Sequence, residues 1–153
     1  MLKVIFSLLT LCLTLSAKPI IEIQNAEIPL LINKGSNAIT AIKVAGAQHI
    51  TAMEIEIDEK SLDQIVEVSV LNNGKKFRPQ WRTRLYKKID KARKVITFKN
   101  GWNVKGSHEY FWISLKVKEN TSLLAKFGAR FKSVTFAKGG KIKLDEPMVF
   151  QRT

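Results

Sequence analysis

Between Lys18 and Leu144 the apolar residues recur at every second position almost wherever they cluster, and this period constrains the fold more than any other feature of the chain. Thr51, Met53, Ile55 and Ile57 alternate with Ala52, Glu54 and Glu56, which is the pattern of a half-buried strand. Residues 65–71 repeat it, with Val66, Val68 and Val70 expected to face inward and Glu67 and Ser69 to face water. In residues 110–118, Phe111, Ile113, Leu115 and Val117 form one face and Tyr110, Trp112, Ser114 and Lys116 the other. Weaker runs lie at 20–24, 28–32, 38–44, 95–99, 129–136 and 141–144. Turn residues separate them: Asn33-Lys34-Gly35-Ser36, Asn72-Asn73-Gly74, Asn100-Gly101, Lys105-Gly106-Ser107 and Gly139-Gly140. Only residues 59–64 and 122–126 can form a helical turn, and neither is long enough to make a packed helix. About nine short strands with one apolar face each bury those faces only against a second sheet or in a closed barrel. The pattern predicts an all-β domain, a two-sheet antiparallel β-sandwich.

The ends of the chain carry different signals. Lys3, the apolar residues 4–15 and Leu15-Ser16-Ala17 have the layout of an export signal with a small-residue cleavage site, so residues 1–17 are expected to be removed and the mature chain to begin at Lys18. The apolar run falls short of the ~20 residues a membrane span needs, so no transmembrane segment is expected in the mature chain. Cys12 follows Leu11, where a lipidation site wants a small residue. The mature chain then has no cysteine and must be held by burial alone, with residues 18–144 forming one domain. Residues 145–153 read as a tail or the start of a linker to a further domain. These signals imply a periplasmic or secreted protein.

Charge narrows the partners. The leader contains one charged residue, Lys3, so the formal charge of +13 becomes +12 in the mature chain. A surface this cationic favours acidic glycans, lipopolysaccharide or anionic lipid, and export disfavours nucleic acid. A purely solubilising role for the charge is the competing reading.

Little in the chain points to catalysis. Two histidines, His49 and His108, stand beside turns, and with no mature cysteine there is no recognisable metal-ligand spacing; no metal or other cofactor is expected. The carboxylates lie mostly on outward strand positions and turns, and no spacing among them sets up the converging pair of a glycosidase. Asp58, Glu59 and Asp63 cluster but lack the alternating oxygen ligands of a calcium loop. Neither a phosphate-binding glycine loop nor a nucleophile elbow occurs.

The unusual stretch is residues 75–94, KKFRPQWRTRLYKKIDKARK, dense in lysine and arginine with Asp90 as its single acid. Its guanidinium forks can hold sulfate, carboxylate or phosphate bidentately, or its lysines can simply shield a sheet edge. Exposed aromatic rings stack on the apolar face of a pyranose, which makes Trp81, Tyr86 and Trp102 the candidate sugar platforms. Trp102 follows the Asn100-Gly101 turn and is expected to face solvent, with Asn103 beside it as donor and acceptor. Arg78, Arg82 and Arg84 complete the candidate ligand-binding set. Trp112 is expected to be covered as secondary core.

The segment 109–122, EYFWISLKVKENTS, resembles a characteristic run in the N-terminal, non-catalytic domain of bacterial sialidases (neuraminidases) of the BNR-repeat type. Residues 27–31 (EIPLL) resemble that domain's opening strand, Gly74-Lys75-Lys76-Phe77-Arg78-Pro79 its Lys/Phe/Pro hairpin, and residues 135–141 its closing strands. The resemblance implies a jelly-roll-like sandwich that precedes a six-bladed catalytic propeller and serves in carbohydrate binding or positioning. It further implies glycan partners, sialylated or otherwise anionic, and a sialidase propeller in cis or from the same operon. The Arg-Ile-Pro segment, Ser-x-Asp-x-Gly-x-x-Trp boxes, arginine triad and Tyr/Glu pair of the propeller do not occur in this sequence, so an exo-α-sialidase activity is not expected of this chain itself.

Overall fold

The structure, a computed structural model, describes residues 18–25, 29–32, 35–46, 48–78, 84–89 and 92–153. The expected export signal, the Glu27-Ile28 start of the resembling opening strand, and the candidates Trp81 and Arg82 lie outside the described residues. Strands β1 (Ile20–Gln24), β2 (Asn37–Ala45), β3 (His49–Ile57), β4 (Ile65–Asn72), β5 (Arg84–Ile89), β6 (Val95–Asn103), β7 (His108–Val117), β8 (Lys126–Phe136), β9 (Gly140–Lys143) and β10 (Val149–Arg152) follow in chain order, with a 3-10 turn over Glu59–Gln64 between β3 and β4. Sheet A has the order β1-β2-β7-β4-β5; sheet B has the order β10-β8-β3-β6, with β9 also pairing β8. Every pairing is antiparallel. The result is the two-sheet β-sandwich that the period of two requires.

The inward residues of the two sheets form one core. Ile42, Val44, Val68, Val70, Phe111 and Leu115 of sheet A meet Ile50, Met53, Ile55, Phe98, Phe127 and Val134 of sheet B, all of them fully buried. Each such side chain contributes about 1.5–3 kcal/mol, which is how a domain without a disulfide stays folded.

The departures from the sequence reading sit where a strand gains or lacks a residue. Val66 is 39 % exposed rather than inward. The β4–β7 register shifts between Ile65 and Glu67, so Val66 is the extra residue of a bulge and both Ile65 and Val68 reach the core. Asn100-Gly101 is not a turn: both lie within β6, at the register shift opposite Ile50 and Ala52. A Cβ on Gly101 would stand 3.0 Å from the His49 ring, so a larger residue here requires that ring to shift by a few tenths of an ångström. Of the 28–32 run, residues 29–32 form no strand, although Leu30 is buried and its N–H donates to Arg152 O at 2.8 Å.

Two further elements were not anticipated. The expected tail carries β10, whose Gln151 is buried and donates from Nε2 to Ile39 O at 3.2 Å, so the sandwich extends past Leu144. The basic segment supplies β5, the edge strand of sheet A beyond β4. Its alternation is obscured by charge, and pairing with β4 overrides the local pattern.

Candidate functional site

The outward face of sheet A presents three register rows across β1, β2 and β7. Ile20, Ala45 and His108 form the first; Glu22, Lys43 and Tyr110 the second; Gln24, Ala41 and Trp112 the third, continued by Leu71 of β4. They face outward because Ile42, Val44 and Phe111, their neighbours along the strands, are core.

Trp112 is fully buried despite its outward position, because Phe77 covers it. The two ring centroids are 5.1 Å apart and Trp112 Nε1 donates to Phe77 O at 2.7 Å. Asn73 shapes the covering loop, donating from Nδ2 to Lys76 O and, at 2.7 Å, to Arg78 O. Gly74 makes the turn with φ of 60°, and its N–H donates to Asn72 Oδ1 at 2.9 Å.

Tyr110 stands beside this covered tryptophan and is only half-buried. Its ring meets Phe77 edge-on at 5.6 Å with planes inclined by 62°, and His108 at 5.4 Å nearly perpendicular. Its hydroxyl has no hydrogen-bond partner among the described residues. In the same row Lys43 Nζ is 3.1 Å from Glu22 Oε2, and the Glu22 side chain keeps 48 % of its exposure. Ile20, 59 % exposed, adds apolar surface. The arrangement is an aromatic ring edged by a phenol, a carboxylate, an ammonium group and an imidazole. A pyranose could stack on the ring while its hydroxyls donate to Glu22 and accept from Lys43 and Tyr110.

Of the residues picked out from sequence, the structure describes the side chains of Arg78, Trp102 and Asn103, and it places Arg78 beside sheet A and the other two on sheet B. Trp102 is half-buried and packs against the core rather than facing solvent. Because the Asn100-Gly101 bulge lets β6 continue, Trp102 pairs with Ile50, meets Phe111 edge-on at 6.5 Å, and donates from Nε1 to Glu109 Oε2 at 2.6 Å. Glu109 also accepts from Asn72 Nδ2 at 2.8 Å and from the Lys105 N–H at 3.2 Å. This buried carboxylate, 5 % exposed, ties the tryptophan of sheet B to two strands of sheet A. Asn103 is exposed and shares a 2.6 Å hydrogen bond with His49 Nδ1 on sheet B. Arg78 is exposed in the loop that carries Phe77, at the border of the Tyr110 face. Arg84 and Tyr86 belong to β5. The alternation in 110–118 placed Tyr110 on the outward face, but only strand register brings Glu22, Lys43 and His108 to it.

Sheet B offers a different outer surface, a groove of about 540 Å³ lined by Glu54, Arg130, Lys132, Lys141, Lys143 and Asp145 among others. Most of its charge is internally matched. Arg130 binds Glu56 Oε2 through Nε at 2.8 Å and Nη2 at 2.6 Å, and its Nη1 donates to Glu146 O. Lys132 and Lys141 share Glu54 at 3.7 and 3.1 Å. Elsewhere, Asp58 Oδ2 accepts from Ser61 Oγ at 3.1 Å and Glu59 pairs with Lys94 at 3.0 Å. Among the described residues, no group of three or more His, Cys, Asp or Glu could hold a metal ion, and no helix is long and apolar enough to cross a membrane.

Residues 72–140 match the family model described as the N-terminal domain of BNR-repeat neuraminidase. Together with the fold, this supports an N-terminal sialidase-associated domain. The solved structure titled Hadza microbial sialidase Hz136 is similar with a TM-score of 0.68 at 19 % identity, covering 86 % of this chain and 30 % of that one. The chain therefore spans about 30 % of that sialidase's length. No curated protein matches the sequence.

Proposed function

We propose that this domain is a non-catalytic accessory module of an exported exo-α-sialidase, and that it holds host glycans on the outward face of sheet A. The observation that carries the reading is the row Glu22–Lys43–Tyr110, a half-buried ring at the end of a polar row whose hydroxyl has no hydrogen-bond partner among the described residues, next to a tryptophan that is itself sealed off. The match of residues 72–140 to a neuraminidase N-terminal domain supports the sialidase association. Export rests on the leader pattern of residues 1–17, and the +12 charge of the mature chain favours sialylated or otherwise anionic glycans. A glycan array followed by calorimetry on residues 18–153 tests this. Binding to host-type glycans that is lost in Tyr110→Ala supports it, and no binding even at millimolar ligand contradicts it.

A docking role is the second reading, favoured by one observation. Leu123 and Leu124 are 75 % and 88 % exposed in a turn whose Ser122 and Ala125 carbonyls accept from Thr153. Leu31, 53 % exposed, neighbours the Leu30 that bonds Arg152. A catalytic propeller would cover such leucines. Leu123→Ser with Leu124→Ser would then weaken association with a propeller supplied in trans, and unchanged association would exclude that contact.

A further inference from the structure

The two flanks of Tyr110 are built differently. On the β2 side its row continues to Lys43 and Glu22, a cation and an anion 3.1 Å apart whose charges cancel. On the β4 side it meets the loop that follows that strand: the Asn73 N–H donates to Tyr110 O at 2.9 Å, and the Tyr110 N–H donates to Gly74 O at 2.8 Å. This loop, residues 73–78, carries the exposed cations Lys75 and Arg78, and neither pairs with a carboxylate among the described residues. Glu109, next to Tyr110 in the chain, has its oxygens taken by Trp102, Asn72 and the Lys105 N–H.

The loop is fixed from within, because three successive carbonyls are held by side chains. Asn73 Nδ2 donates to Lys76 O and, at 2.7 Å, to Arg78 O, and between them Trp112 Nε1 donates to Phe77 O at 2.7 Å. Phe77 is wedged against both Tyr110 and Trp112. Lys75 extends toward the His108 end, its Nζ 3.2 Å from where a Cβ on Gly106 would stand, and Arg78 directly follows Phe77. A backbone already held in place lowers the cost of ordering these two side chains around a ligand, and an arginine fork matches the geometry of a carboxylate. On the reading of Tyr110 as a sugar platform, we propose that the 73–78 loop makes this site selective for a pyranose that bears a carboxylate. The sugar ring stacks on Tyr110, its hydroxyls meet Glu22 and Lys43, and its carboxylate turns to Arg78 and Lys75. An uncharged pyranose uses the ring and the polar row but leaves both cations in water, so the loop sets preference rather than binding as such.

The test is a chemical-shift titration of residues 18–153 with a methyl sialoside and a methyl glucuronide, each as the free acid and as its uncharged carboxyl methyl ester. The wild type is expected to bind each acid about tenfold more tightly than its ester, as one charge-assisted contact allows. That gap should narrow as salt rises from about 50 to about 200 mM. Lys75→Gln with Arg78→Gln should lower the acids to the affinity of their esters while leaving ester binding and the melting temperature unchanged. Lys126→Gln with Lys138→Gln, which removes the same charge from exposed positions on and next to β8, should preserve the gap. A wild type that binds acid and ester equally, a gap that survives in the loop variant, or one erased as fully by the β8 variant overturns the proposal and leaves the sugar platform standing. Absence of binding by acids and esters alike overturns the platform and this proposal together.

Discussion

The outward faces of the two sheets differ in how far their polar groups are matched: sheet A has the Lys43–Glu22 pair beside an aromatic cluster, sheet B a wider network of pairs. On sheet B the charges answer one another, with Glu54 between Lys132 and Lys141 and Glu56 held twice by Arg130. On sheet A the largest ring, Trp112, is sealed beneath Phe77, and its half-buried neighbour Tyr110 has a hydroxyl without a hydrogen-bond partner among the described residues. A surface whose charges are mutually satisfied gains little from a ligand, because binding must first break those pairs. The Tyr110 ring and hydroxyl can take a ligand by giving up water rather than by breaking an internal pair among the described residues. On the proposed function, this difference favours sheet A over sheet B as the glycan-binding face.

Substitutions separate the two faces by size of effect. Trp112→Ala should cost about 3–5 kcal/mol by chemical denaturation, since it removes a fully buried indole and uncovers Phe77; a loss under about 1 kcal/mol would mean that Phe77 does not seal this face. Glu109→Ala leaves the Trp102 and Asn72 donors unpaired inside the molecule and should cost about 1–3 kcal/mol. Glu109→Gln should cost less, because one carbonyl oxygen remains to accept. On sheet B, Arg130→Ala should lower stability by only about 0–1 kcal/mol, consistent with a partly exposed ion pair.

Lys94→Gln should leave the unfolding midpoint within error. The Glu59 hydrogen bond and charge hold the exposed Lys94 above the usual lysine range. A raised pKa adds stability that is fully present below the ordinary lysine value and disappears only as pH rises through the raised one. The wild-type minus Lys94→Gln difference, taken at ~0.1 M salt, should therefore be small and constant between pH 6 and pH 8; a difference that changes with pH in that window would show that the Lys94–Glu59 pair is not its source.

The fold was largely legible in the sequence because a period of two over many short runs leaves few architectures open. Strand positions such as 51–57 and 110–118 followed from side-chain alternation, which the sheet imposes directly. Errors arose where the alternation is interrupted. At Val66 a bulge inserts one residue and reverses the expected face. At Asn100-Gly101 turn-forming residues serve a bulge instead, which carried Trp102 into the core and removed it as an exposed platform. The site was less legible than the fold because it is made by register. Glu22, Lys43 and Tyr110 are far apart in sequence and become neighbours only through the β1–β2 and β2–β7 pairings. The concentration of charge between Lys75 and Lys94 could be read directly, but the edge strand formed by residues 84–89 within it could not, since nothing local distinguishes β5 from a loop.

The central claim is that sheet A, and not the groove of sheet B, takes the glycan. Amide chemical-shift mapping during titration with a sialylated oligosaccharide tests it most directly. The account predicts the largest changes at Lys43, His108 and Tyr110 and their loss in Tyr110→Ala; changes centred on Lys132, Lys141 and Lys143, or a response unaffected by Tyr110→Ala, would contradict it.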